Sequence, residues 1–329
     1  MTSMEFVPVR FFRPPALLAL PFLAASVLPI AARADDSAAV QGMLDACYAG
    51  SGPCVIDLQG ATKTLATTLK VDPELVTIRD AIFQCTMTSG TCLYVSEDGY
   101  VGKGRGGAHR LEGVALIGNK SADGVTMNYT DSQNYNIDAG MSLFNVRIVG
   151  FNHGITLGNN VWGVDMVNVI IGEGNIGIYA EPGTHNSGER SAFVGGTIYN
   201  NAVAGVDEEA SCEIDFQGVS FDFNAQQMIL AGPTSFTGHI ENRDTGATEI
   251  VLKALEGVPP GSIYMSAGST ITVDQWDASA PKQACYVQTS LSGNNVVVPA
   301  TLWGFGGKQG AVCGPGTVVT WNGGPPNFR

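Results

Sequence analysis

Five short stretches decide the fold: Asn145-Val-Arg-Ile148, Asn168-Val-Ile-Ile171, Gly195-Gly-Thr-Ile-Tyr-Asn200, Gly218-Val-Ser-Phe-Asp-Phe-Asn224 and Thr237-Gly-His-Ile-Glu-Asn242. With Val146, Val169, Gly196, Val219 and Gly238 as equivalent positions, the steps between them are 23, 27, 23 and 19 residues. A constant strand motif at an irregular period reads as a solenoid, in which loops of varying length join fixed strands; a propeller blade needs about forty residues. Side chains alternate along a strand, so the motif also assigns faces. Val146, Val169, Gly196, Val219 and Gly238, and two residues on Ile148, Ile171, Ile198, Phe221 and Ile240, form an inward column. The outward partners are Arg147 and Val149, Ile170 and Gly172, Thr197 and Tyr199, Ser220 and Asp222, and His239 and Glu241.

Upstream of the repeat, Ala39, Val40, Met43, Leu44 and Cys47 have helical spacing, which predicts a helix over 36–49, followed by β-type runs such as CVIDL and VTIRDAIFQC. No later stretch has a helical period of useful length. Beyond Asn242 come Gly- and Pro-rich β-like pieces, read as terminal coils or a small β cap that protects the last sheet edge. The fold expected is all-β: a right-handed parallel β-helix over 35–242 with an N-terminal helical cap, and terminal coils or a β-rich cap over 243–329.

The first 34 residues read as a secretory signal. Arg10 and Arg13 precede an apolar run from Ala16 to Ala31, and Ala32-Arg33-Ala34 offers a cleavage site before Asp35. The apolar run contains Pro21 and Pro29 and is shorter than the roughly 20 residues a membrane span requires. The expected location is therefore periplasmic or extracellular, with no membrane span in the mature chain. Without the leader the chain has 14 basic and 29 acidic residues, a net −15 that repels polyanions and argues against nucleic acid. All seven cysteines follow the leader. Cys47 with Cys54, and Cys85 with Cys92, close short Ser-Gly-containing loops suited to local disulfides; Cys285 with Cys313 makes a third and leaves Cys212 over. A metal reading of these cysteines is poor, because the four histidines are scattered and there is no Cys-x-x-Cys.

Asp35-Asp-Ser-Ala-Ala-Val40 before a helix, Asn186-Ser-Gly-Glu-Arg190, the Gly218–Asn224 rung and His239-Ile-Glu-Asn242 together resemble the pectate-lyase-like β-helix superfamily. Within it, they resemble the polysaccharide-depolymerising tailspikes of bacteriophages. The resemblance covers roughly 35–242 and implies a glycan-processing scaffold. The leader departs from a tailspike and favours a bacterial secreted enzyme. Trimers are common among those tailspikes, so monomer and homotrimer both stay open.

Stacked rungs bring outward residues to about the strand spacing of 4.8 Å, which makes Asp222 and Glu241 neighbours, flanked by Ser220, His239, Thr197 and Tyr199. Two carboxylates so placed disfavour joint ionisation, which prepares an acid and a base for glycoside hydrolysis. The bland alternative is a solvated face. Asp215, in one column with Asp165, and Glu189, placed just before a strand in the longest insertion, compete as catalytic acids; Arg190 beside Glu213 reads as a ladder ion pair. Tyr199 and Trp162 read either as sugar platforms or as edge packing. Asp207-Glu208-Glu209 reads as a solvated turn, with a calcium site as the alternative. The leading expectation is a hydrolase of a bacterial exopolysaccharide that needs no cofactor. Arg147, the one outward basic residue on the aligned rungs, is a substrate contact in that reading and the base in the rival reading, a uronate lyase. A non-catalytic glycan-binding β-helix is the third reading.

Overall fold

The computed structural model describes residues 34–50, 54–73, 75–96, 110–129, 141–185, 187–242 and 250–253, and beyond these only the backbone of several strands. The leader and Cys285 lie outside the described residues. α1 (Ser37–Ala49) is the helix expected. It buries Val40, Leu44 and Tyr48, while Met43, expected on the same stripe, is 43% exposed. Its start is tied to the first strand, because Asp36 accepts the Thr64 N–H and Ser37 Oγ accepts the N–H groups of Ala66 and Thr67. Its end is tied by the Cys47–Cys54 disulfide, and a second disulfide joins Cys85 and Cys92. Cys212 is a buried free thiol.

All pairing between the strands is parallel among the described residues. β1 (Cys54–Leu65), β2 (Leu69–Val71), β3 (Val76–Cys85), β4 (Thr91–Val95), β5 (Arg110–Ile117) and β6 (Asp123–Met127) make the first coils. β7 (Ser142–Phe144), β8 (Arg147–Val149) and β9 (His153–Leu157) make the next. The same order repeats in β10 (Asp165–Val167), β11 (Ile170–Gly172) and β12 (Ile176–Ala180), then in β13 (Ser187–Val194), β14 (Thr197–Tyr199) and β15 (Ala204–Glu208). β16 (Cys212–Asp222) with β17 (Met228–Leu230), and β18 (Pro233–Asn242) with β19 (Ile250–Leu252), run the first two faces of a coil as one bent strand. Each strand pairs with its equivalent one coil away, giving a 15-stranded and a 10-stranded parallel sheet. This is an all-β parallel solenoid. Strand segments between Ser262 and Phe328 pair in parallel with these sheets and with one another.

The rung register is the one expected from sequence. Val146, Val169 and Val219, and Ile148, Ile171, Ile198, Phe221 and Ile240, are all at most 1% exposed. Phe216 meets Phe221 edge-on at 5.3 Å between centroids, and Phe221 meets Phe236 at 5.9 Å. The bend between the first two faces falls at Asn145, Asn168, Gly195 and Gly218, with φ of 54°, 52°, 64° and 66°. Asn and Gly tolerate this left-handed region, and Asn168 donates to Asn145 at 2.8 Å across one rung. Inside the next corner, Asn201 donates to Asn224 at 2.8 Å, and Asn224 donates to the Ile198 carbonyl at 2.9 Å. These side chains satisfy backbone groups that the strands leave unpaired at the turn.

Two expected outward positions are not solvent-facing. Val149 is 6% exposed, and Gly172 is buried. At Gly172 the cover comes from the next coil: a Cβ there would stand 2.5 Å from two ring carbons of Tyr199 and 2.4 Å from its carbonyl oxygen.

Phe221→Ala should lower the unfolding free energy by about 3–5 kcal/mol, since it removes a fully buried ring from two edge contacts. Chemical denaturation would read this, and a loss under about 1 kcal/mol would mean the ring stack does not hold the coils together.

Candidate functional site

The outer side of the second face carries two columns. In one, Arg147, Ile170, Thr197, Ser220 and His239 are successive Cα partners; in the other, Val149, Gly172, Tyr199, Asp222 and Glu241 are. Asp222 and Glu241 thus stand side by side on adjacent rungs, with His239 two residues before Glu241 on the same side of its strand. Asp222, His239 and Glu241 each present one donor atom, and these atoms all lie within 4.8 Å of one another. His239 Nε2 is 3.6 Å from Glu241 Oε2, and Ser220 Oγ donates to Asp222 Oδ1 at 2.6 Å. His239 is 41% exposed and Glu241 27%, so the cluster is open to a ligand yet held by its neighbours.

On the earlier coils the same face is built differently. The Tyr199 hydroxyl donates to Glu173 Oε1 at 2.7 Å, and Arg147 Nη2 donates to that hydroxyl at 3.5 Å while lying 4.0 Å from Glu173 Oε1. Burial, and then the hydrogen bond to and the charge of Glu173, push the Tyr199 phenol above its ordinary value. Rung alternation alone does not single out Glu173. It occupies the second corner of the coil, where Gly150, Glu173, Asn200 and Phe223 follow the strands at φ of 73°, 58°, 51° and 59°. The available signal was a carboxylate at a turn position that the neighbouring rungs give to Gly or Asn.

This corner lines an open groove of about 570 Å³ between Gly118, Asn119, Lys120, Gly150, Glu173 and Asn200. Of the lining residues, Asn200 is tied to the rungs of the acid pair: its N–H donates to the Asp222 carbonyl at 3.0 Å, and the Phe223 N–H, at the equivalent corner of the next coil, donates to the Glu241 carbonyl at 2.9 Å. No family model and no curated protein matches this chain. What the site can do therefore rests on its own geometry.

Other candidates lie apart from the pair. Asp215 is on the far side of the Gly218 bend, seven residues before Asp222, and is held by Ser235 Oγ and by Gln217 Nε2 at 2.5 Å. Glu189 is exposed and lies inside β13, not before a strand as expected. The reason is that strand pairing begins at Ser187, opposite Cys212, and takes in the end of the insertion. Arg190 follows it in β13, and its guanidinium lies 5.3 Å from the centroid of the Trp162 ring. Trp162 therefore already has a cation over its ring, a packing contact worth more when desolvated.

Asp207-Glu208-Glu209 is not a solvated turn. Asp207 is 8% exposed and Glu208 1%, at the end of β15. The next coil closes over them: Glu208 Oε2 accepts the N–H groups of Ala231 and Gly232, both at 2.7 Å. At Gly232 a Cβ would fall 1.8 Å from the Cys212 carbonyl, so only glycine fits. Glu209 reaches outward to Lys253 as an ion pair. Burial raises the Glu208 pKa to about 8, against the lowering effect of its two N–H donors, and Glu208 Oε1 has no hydrogen-bond partner.

Glu208 is therefore protonated in the folded chain where it would be ionised in the unfolded one. Its contribution to stability is complete below the ordinary value of 4.5 and is lost as pH rises through about 8. The melting temperature should fall across that window, and Glu208→Gln should flatten the fall. An unchanged slope in the variant would remove Glu208 as its source.

Proposed function

We propose that this protein is an exported glycoside hydrolase that depolymerises a bacterial exopolysaccharide or a related glycan, with Asp222 and Glu241 as its paired carboxyls. The observation that carries this reading is the placement of these two side chains on adjacent rungs, beside an open groove, with donor atoms within 4.8 Å. The scaffold reading that goes with it is a right-handed parallel β-helix of the pectate-lyase-like kind, with α1 as its N-terminal cap and a leader removed after Ala34. Two disulfides, and the lack of any helix among the described residues long and apolar enough to cross a membrane, are compatible with export.

In the chemistry we propose, Glu241 gives its proton to the glycosidic oxygen as that bond breaks, and Asp222, already accepting the Ser220 hydroxyl, attacks the sugar's anomeric carbon. Water, deprotonated by Glu241, then releases the glycosyl group from Asp222. Carboxyl groups about 5–5.5 Å apart suit this double displacement, whereas an inverting pair needs about 6.5–9.5 Å to hold a water between them. The close approach of the two acids favours the retaining course. Glu173 lines the groove, and Arg147 and Tyr199, which bond around it on the earlier rungs, contact sugar hydroxyls in this reading. Asp215, Glu189 and Trp162 have no catalytic part in this reading.

Incubation with a panel of polysaccharides should give shorter products, each heavier by one water, about 18 Da, than the sugar units it contains. Asp222→Asn and Glu241→Gln should each lower the rate by at least about 100-fold with an unchanged circular-dichroism spectrum. Full activity in both variants removes the assignment. Unsaturated products absorbing in the ultraviolet would instead select a lyase, and binding without any change in polymer length would select a non-catalytic glycan-binding protein.

A further inference from the structure

We propose that Asp222, His239 and Glu241 together bind one divalent transition-metal ion, of the zinc, manganese or cobalt class, and that its binding blocks the acid pair. The donor set carries this. Among the described residues, these are the side chains that bring three such donor atoms within 4.8 Å of one another. One imidazole and two carboxylates form a mixed nitrogen and oxygen set that suits these ions; calcium and magnesium favour oxygen alone.

The spacing of two of the donors fits as well. With bonds of about 2.0–2.2 Å, the 3.6 Å between His239 Nε2 and Glu241 Oε2 subtends about 118° at a shared ion, near the tetrahedral angle. Asp222 comes from the neighbouring rung, so the three ligands arrive from two strands fixed in register by the parallel ladder. Ser220 fixes Asp222 from behind through Oδ1, as partners of metal-bound carboxylates do. The chain's net charge of −13 raises the local concentration of cations.

An ion held here occupies the carboxylate lone pairs that proton transfer and nucleophilic attack both need. Metal binding and hydrolysis thus compete for the same atoms, and free metal acts as a reversible inhibitor. The blocking half rests on the hydrolase reading; the binding half does not.

The test is calorimetric titration of the chelator-dialysed protein with zinc chloride. One ion should bind per chain, with affinity lowered at least tenfold by His239→Ala and by Asp222→Asn, more mildly by Ser220→Ala, and not by His185→Ala. Absence of binding, or binding unchanged by His239→Ala, overturns the site. On any polysaccharide the protein cleaves, the rate should fall in proportion to occupancy and return with chelator. A rate that is unaffected or raised by bound zinc overturns the blocking role. If nothing in the panel is cleaved, the blocking role falls with the hydrolase reading, and the titration still decides the metal site.

Discussion

Everything in this molecule depends on each strand pairing, in parallel and in register, with its equivalent one coil away. The register converts a sequence separation of about twenty residues into a spacing of about 4.8 Å, and it does so at every position of the rung. Apolar side chains become continuous inner stacks. Outward side chains become columns, and one such column puts Asp222 beside Glu241. The corners hold the register, because the backbone turns at fixed columns of left-handed residues, and asparagine side chains bond from rung to rung where the ladder breaks.

The same constraint decides which side chains are available for chemistry. A parallel sheet with one face in the core offers its other face to solvent, but neighbouring coils can cover it. Tyr199 does so to Gly172, and the Ala231–Gly232 turn does so to Glu208. On the later coils the carboxylates of Asp222 and Glu241 keep partial exposure. The groove residue Asn200 is joined to the acid rungs by its backbone bond to Asp222.

Much of this was legible in the sequence, since it follows from alternation and spacing within single rungs. The inner column of Val146, Ile148, Val169, Ile171, Ile198, Val219 and Phe221, the pairing of Thr197 with Ser220 and of Ser220 with His239, and the two local disulfides all follow from short-range pattern. The departures at Gly172, Glu208 and Glu173 share a cause: side-chain contacts made between coils, which the pattern of a single rung does not display. Val149 and Gly172 read as outward because their own strand alternates, yet a ring from a later coil covers Gly172. Glu208 read as solvated because it sits in an acidic run, yet its partners are backbone groups 23 and 24 residues later. Glu173 has no signature within its own rung, since Tyr199 and Arg147 are brought to it from two other rungs.

One-rung register on the outer face can be read by cross-linking along one exposed column. Val194 is the Cα partner of Gln217, and Gln217 of Thr237. A disulfide needs Cα atoms about 4.4–6.8 Å apart, which one rung satisfies and two rungs, about 9.6 Å, do not. Val194→Cys combined with Gln217→Cys should oxidise to a single intramolecular bond, seen by mass spectrometry of the digested protein, while Val194→Cys combined with Thr237→Cys should not. A bond in the second pair and none in the first would contradict the register, and with it the placement of Asp222 beside Glu241.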